Sequence, residues 1–181
     1  MTLAGRLLVA APPLVDPNFD RTVVLLLAHD SEEGALGLVL NRPSGVAVAE
    51  YLESWSRLAI DPCEVFIGGP VQPEGVIGIG WVDGPMPDGM RAVTDGVAVV
   101  DLHLSPSELP GVTAVRLFAG HAGWAPGQLE AEIREGAWFT VDVLPGDLRS
   151  HEPSDLWRSV LHRQGGDLRA LSHYPDDPSL N

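Results

Sequence analysis

The chain has 181 residues and a mass of 19.3 kDa, with 11 arginines set against 25 aspartates and glutamates, no lysine, and a net charge of −14. That length suits one domain spanning residues 1–181, and the absence of lysine excludes Schiff-base chemistry, the Walker phosphate loop and the kinase strand lysine. The negative charge opposes nucleic acid, whose binding rests on Lys and Arg neutralising phosphates.

Arg6 followed by the apolar run Leu7 to Ala11 imitates the start of a signal peptide, but Pro12 and Pro13 close it early and no small-residue cleavage pattern follows. The segment reads as a strand. Arg21 to Ala28 and Ala35 to Leu40 are apolar on both faces and flank a Ser31 to Gly34 turn, which predicts a hairpin of two buried strands. After Ser44, the spacing of Val48, Leu52 and Trp55 predicts an amphipathic helix. Glu64 to Ile67, Val76 to Trp81 and Val97 to Leu102 read as strands, with a short helix at Ser105 to Leu109. A strand at Ala114 to Ala119, a glycine-spaced loop at Gly120 to Gly127 and a helix from Gln128 to Glu135 form one strand, loop and helix unit. Trp138 to Leu144 alternates as a strand. A last helix begins near Ser154 and is stopped or kinked by Gly165 and Gly166. From about residue 174 the tail is rich in proline and aspartate and is expected to be flexible, packing along the surface or fraying. The 20 glycines and 16 prolines make up about a fifth of the chain, so turns are many and elements short.

No apolar stretch approaches the 18 residues a membrane helix needs, so no membrane contact is expected. Cys63 stands alone and forms no internal disulfide, which suits a reducing cytoplasm. No cysteine or histidine spacing predicts a metal site, and no cofactor motif is present.

The candidate site gathers at strand ends and glycine turns. In the Gly120 to Gly127 loop, His121 is placed to act as a base or ligand, while Trp124, Gln128 and Glu130 follow at pocket-lining positions. The plainer reading has Trp124 covering the core edge and His121 capping a carbonyl. Gly68 and Gly69 follow one strand, and Asn41 and Arg42 close another. Arg42 suits an anion or, more simply, a surface ion pair. His29 ends a strand beside Asp30, where an imidazole near a carboxylate suits proton transfer. Asp16 to Arg21 reads as turn chemistry, with Arg21 able to add a charge to a polar cleft.

Five segments in order, LLVAAPPLVDPNFDRTVVLLLAHD, GALGLVLNRP, VFIGGPV, LFAGHAGWAPGQLEAEIREGAW and the looser LW with PDDPSLN, resemble the YqgE/AlgH family, also called UPF0301. The resemblance covers nearly the whole chain. It implies an α/β (α+β) single domain with a mixed, curved or barrel-like sheet flanked by helices. His29, Asn41, Pro43, Gly68, Gly69, Pro70, Gly120, Trp124, Gly127, Gln128 and Glu130 fit the family pattern, while His121 stands where that pattern usually has Tyr. One branch is linked to control of alginate production and described as a transcriptional regulator, a role the charge directs toward indirect action.

The residues and the resemblance together predict a cytoplasmic binding or regulatory module that engages a small ligand or protein partner. The alternatives are a regulator of transcription acting indirectly and a hydrolase-like enzyme using His29 or His121.

Overall fold

The computed structural model describes residues 2–176 of the chain. In chain order it contains β1 (Leu7–Ala10), β2 (Val23–Asp30), β3 (Gly34–Val39), β4 (Pro43–Ala47), α1 (Val48–Tyr51), β5 (Glu64–Ile67), β6 (Val71–Val82), β7 (Arg91–Thr94) and β8 (Val97–Val100). There follow β9 (Val112–Trp124), α2 (Gln128–Arg134), β10 (Trp138–Val141), α3 (Pro145–Leu148), α4 (Leu156–Gln164) and α5 (Gly166–Leu171). Ten strands form one open sheet in the order β10-β1-β2-β3-β9-β6-β8-β7, with β5 beside β9 and β4 beside β5. The β5 and β9 pair is parallel and the other strand pairs are antiparallel, so the domain is mixed α/β with helices flanking the sheet.

The apolar hairpin of β2 and β3 forms as its sequence predicts, the two strands pairing antiparallel, and β1 joins β2 with all four of its residues buried. Leu7, Val9, Val23, Leu25 and Leu27 point into a core shared with Ile79, Trp81 and Phe118 of the other half-sheet and with Trp157, Val160 and Leu161 of α4. Leu8, Val24 and Leu26 point the other way, against Trp124, Trp138 and Leu129. The sheet therefore curves over one common core and lays α2 on its outer face. Among such fully buried positions, removing one leucine side chain costs about 2–5 kcal/mol.

Two elements differ from their sequence pattern. The helix expected after Ser44 begins as β4, because Pro43 and Ala47 pair with Phe66 and Glu64 of β5 and the Glu64 carboxylate accepts the Gly45 N–H at 2.9 Å. Only one turn of α1 follows, Leu52 turns to φ −145°, and a 3-10 turn at Glu53–Leu58 carries Trp55 into the core. The predicted glycine loop is largely strand. β9 runs through it to Trp124, since β6 offers a partner at His121 and β3 offers partners at Ala122, Gly123 and Trp124. Strand β7 was not legible at all: its four residues sit between glycine-rich turns.

β9 changes neighbours in mid-course. Over Phe118 and Ala119 it lies beside β5, and from Ala122 onward β3 takes that place. The exchange occurs where Gly68 donates its N–H to the Ala119 carbonyl and returns its own carbonyl to the Val39 N–H. A Cβ at Gly120 would stand 2.4 Å from the Gly69 carbonyl oxygen, and one at Gly69 would stand 2.2 Å from the His121 carbonyl carbon. Gly120 also takes φ +69°, which reverses the facing of the strand: Ala114 and Phe118 enter the shared core, whereas Ala122 and Trp124 face α2.

Gly127 has a similar φ of +74° but open space around its Cα. Gly127→Ala is therefore expected to cost about 1–2 kcal/mol, the left-handed penalty alone. Gly120→Ala, which adds a backbone clash, is expected to cost well over twice that or to prevent folding. Urea denaturation of the two variants measures the difference; equal losses would contradict the crossing described here.

Candidate functional site

The site is built around α2. His29 of β2, Ala35 of β3 and Trp124 of β9 lie side by side across three strands, and α2 covers this row. On one side of the helix Glu130 reaches His29, whose Nε2 lies 2.9 Å from Glu130 Oε1. On the other side Glu132 accepts from both indoles, at 2.9 Å from Trp124 Nε1 and 2.8 Å from Trp138 Nε1. Gln128 donates to the remaining Glu132 oxygen at 2.8 Å and accepts the Ala125 N–H at 3.0 Å. Phe19 stacks on Trp124 and meets the edge of Trp138.

The His29 ring is nearly buried, with 6% of its side chain exposed. Its Nδ1 accepts the Leu3 N–H at 3.1 Å. A nitrogen that accepts carries no proton, so the neutral ring bears its proton on Nε2 and donates it to Glu130. Thr2 adds a second tie through its hydroxyl to the His29 carbonyl at 3.0 Å, fixing the N-terminal segment beside the strand end.

These groups open onto a cleft of about 470 Å³ lined by Thr2, Leu3, His29, Asp30, Ser31, Glu130, Ile133 and Thr140. The N–H groups of Glu32 and Glu33 hold the Asp30 carboxyl below the ordinary carboxylate range. Glu130 is likewise held low, first by its own backbone N–H and then by His29. Both groups are ionised at neutral pH, so the cleft joins two negative charges and three hydroxyls to the apolar surface of Leu3 and Ile133. Among the described residues, no three His, Cys, Asp or Glu side chains converge as a metal site.

The remaining sequence candidates lie elsewhere. Gly68, Gly69 and Gly120 form the strand crossing, where backbone contact leaves no room for a side chain. Asn41 accepts the Val23 N–H at 3.0 Å and donates to the Arg21 carbonyl at 2.9 Å, extending the contact between β2 and β3 past the end of β3. Arg42 donates to the carbonyls of Pro17 and Asp20, pinning the loop before β2. His121 is half-buried opposite Val71, and among the described residues no hydrogen bond orients its ring. The structure thus brings His29 and Glu130 into one cleft and Trp124 and Gln128 into the adjoining cap. Glu132, Leu3 and Thr140 escaped the sequence reading; the i, i+4 spacing of Gln128 and Glu132 beside two tryptophans was the available signal for the first.

The AlgH-like family model matches residues 7–169. The chain belongs to the AlgH-like family. It is 54% identical over 186 residues to UPF0301 protein SCO2948 of Streptomyces coelicolor, covering 99% of this chain and 96% of that one. Identity to a UPF0301 protein of Thermobifida fusca is 41% over 191 residues, covering 100% and 96%. Among solved structures of similar fold, protein DIP2367 from Corynebacterium diphtheriae superposes with a TM-score of 0.88 at 35% identity, covering 94% of this chain and 92% of that one. The solution structure of the AlgH protein from Pseudomonas aeruginosa gives 0.70 at 31% identity, covering 98% and 96%.

Glu132 accepts three donors, two of them from buried indoles, and hydrogen bonds to a charged group are worth about 1.5–3 kcal/mol each. Glu132→Ala is expected to lower stability by about 2–4 kcal/mol and to shift tryptophan fluorescence. Glu130 contributes differently. Its folded value lies below the unfolded 4.5, so its contribution is complete above that pH and is lost as pH falls through the folded value. The stability difference between wild type and Glu130→Gln is expected to be constant near neutral pH and to shrink in acid, as denaturation across pH will show.

Proposed function

We propose that the protein is a binding module of the cytoplasm that holds a small ligand or a segment of a protein partner in the cleft beside α2, and acts through that complex. The observation that carries this reading is the state of His29. Its Nδ1 lone pair is taken by the Leu3 N–H and its Nε2 proton by Glu130, so the histidine best placed in a cleft has no lone pair left to accept a proton from a substrate. The same ties make the walls of the cleft rigid, and they surround it with groups suited to recognition: hydroxyls, two carboxylates and a small apolar floor. The exposed thiol of Cys63 fits a reducing compartment. A regulatory role, on this reading, passes through the bound partner, because a chain of net charge −14 has little to offer phosphate backbones.

Thermal unfolding against a panel of small molecules, compared between wild type and Ser31→Trp, tests the proposal. Ser31 is exposed at the lip of the cleft, so the substitution fills it without touching the core. A ligand at about 1,000 times its Kd adds about 4.1 kcal/mol, or roughly 8–16 °C in Tm at this chain length. The expected result is a shift that disappears in Ser31→Trp while the ligand-free Tm is unchanged. A shift that persists in the blocked variant, or turnover that depends on His29, would contradict the proposal.

A further inference from the structure

A second cluster of polar groups lies on the C-terminal face. Arg158 of α4 and Arg21 converge on one carboxylate: Asp176 Oδ1 lies 2.7 Å from Arg158 Nη2 and 2.8 Å from Arg21 Nη1. Both guanidinium groups lie over the Trp157 ring, at 5.9 and 4.9 Å from its centroid. Arg158 also donates to the carbonyls of Ser172 and Tyr174, and Arg21 to those of Tyr174 and Pro175. Next to this clasp is a cavity of about 390 Å³ lined by Asp155, Arg158, Ser159, His162, Ser172 and His173. The rings of His162 and His173 meet edge to face at 6.1 Å, from α4 and from the turn after α5.

Arg158 is the one arginine lining this cavity, and two imidazoles stand with it as ring N–H donors. We propose that this face is an anion-binding site whose resident occupant is the Asp176 carboxylate, and that a compact phosphate-type anion displaces it and enters the adjoining cavity. Arg158 serves both places, since it grips Asp176 and lines the cavity. Its planar fork suits phosphate oxygens as well as a carboxylate. His162 and His173 supply ring N–H donors. Asp155 is the single carboxylate among the lining residues and limits the site to a ligand small enough to stay on the basic side. The site is separate from the cleft beside α2 and does not depend on the reading given to that cleft.

Calorimetric titration of the full chain with inorganic pyrophosphate, at fixed low ionic strength and without metal, tests the proposal through opposite signs. Asp176→Asn removes the internal competitor and is expected to tighten binding. Arg158→Gln and the double variant His162→Gln with His173→Gln are expected to weaken it by about tenfold or more, the equivalent of one charge-assisted hydrogen bond. Both histidines are exposed, so the double variant leaves the core untouched, and unfolding curves confirm that each protein is folded. No saturable binding in either wild type or Asp176→Asn would overturn the proposal. So would an affinity unchanged by Asp176→Asn, or binding that survives the histidine and Arg158 variants intact.

Discussion

The close approach of two backbones at Gly68, Gly69 and Gly120 is the constraint on which the rest of the molecule depends. Atoms within the reach of a Cβ on both sides make the crossing accessible to glycine alone. What it achieves is a transfer of β9 from β5 to β3, so that a single strand of 13 residues belongs to both halves of the sheet. The reversal of facing at Gly120 then decides which side chains enter the shared core and which look outward to α2. Without it, Trp124 would point into the core and His29 would have no helix opposite it.

On this frame the polar groups divide into two kinds of fastener. Carboxylates of α2 tie the helix to the outer face of the sheet, Glu130 through His29 and Glu132 through two indoles. Arginines tie loops, and they do so mainly through backbone carbonyls. Arg42 holds Pro17 and Asp20, Arg91 holds Leu27, and Arg163 holds Asp142 while pairing with the buried Asp147. Arg116 is the extreme case: 3% exposed, stacked on Phe66, it donates to the carbonyls of Asp61, Leu148 and Ser150, and burial pushes its pKa down to about 10. A guanidinium has five donors in a rigid fork and joins several carbonyls at once, which a lysine cannot match. A chain that clips its loops in this way finds a use for arginine at positions where lysine would serve less well.

Much of this was legible in the sequence where one physical signal dominated. The doubly buried β1 and β2 announced themselves as continuous apolar runs, and α2 was framed by glycines. His29 and Glu130 stood out by residue type and by family pattern, and the fold brings them within a hydrogen bond. What stayed hidden depended on partners distant along the chain. The helical spacing of Val48, Leu52 and Trp55 is real, but pairing of Pro43 and Ala47 with β5 outweighs it. The glycines from Gly120 onward read as a loop because their shared property is permissiveness; only the edges of β3 and β6 make them a strand. Glu132 and Leu3 act through a side chain or backbone N–H that no local pattern reveals. Arg21 and Asp176, separated by most of the chain, meet over the Trp157 ring of α4, on which the Arg21 guanidinium lies.

Hydrogen exchange measured amide by amide under native conditions tests the central claim most directly, that the glycine crossing joins both halves of the sheet into one cooperative unit. The account predicts that the amides of Gly68 and Val39 at the crossing, of Leu25 in β2 and of Ile79 in β6 all exchange with the free energy of global unfolding. Two distinct plateaus, with β1 to β3 opening at one free energy and β6 to β8 at another, would show that the halves are stable separately and would contradict it.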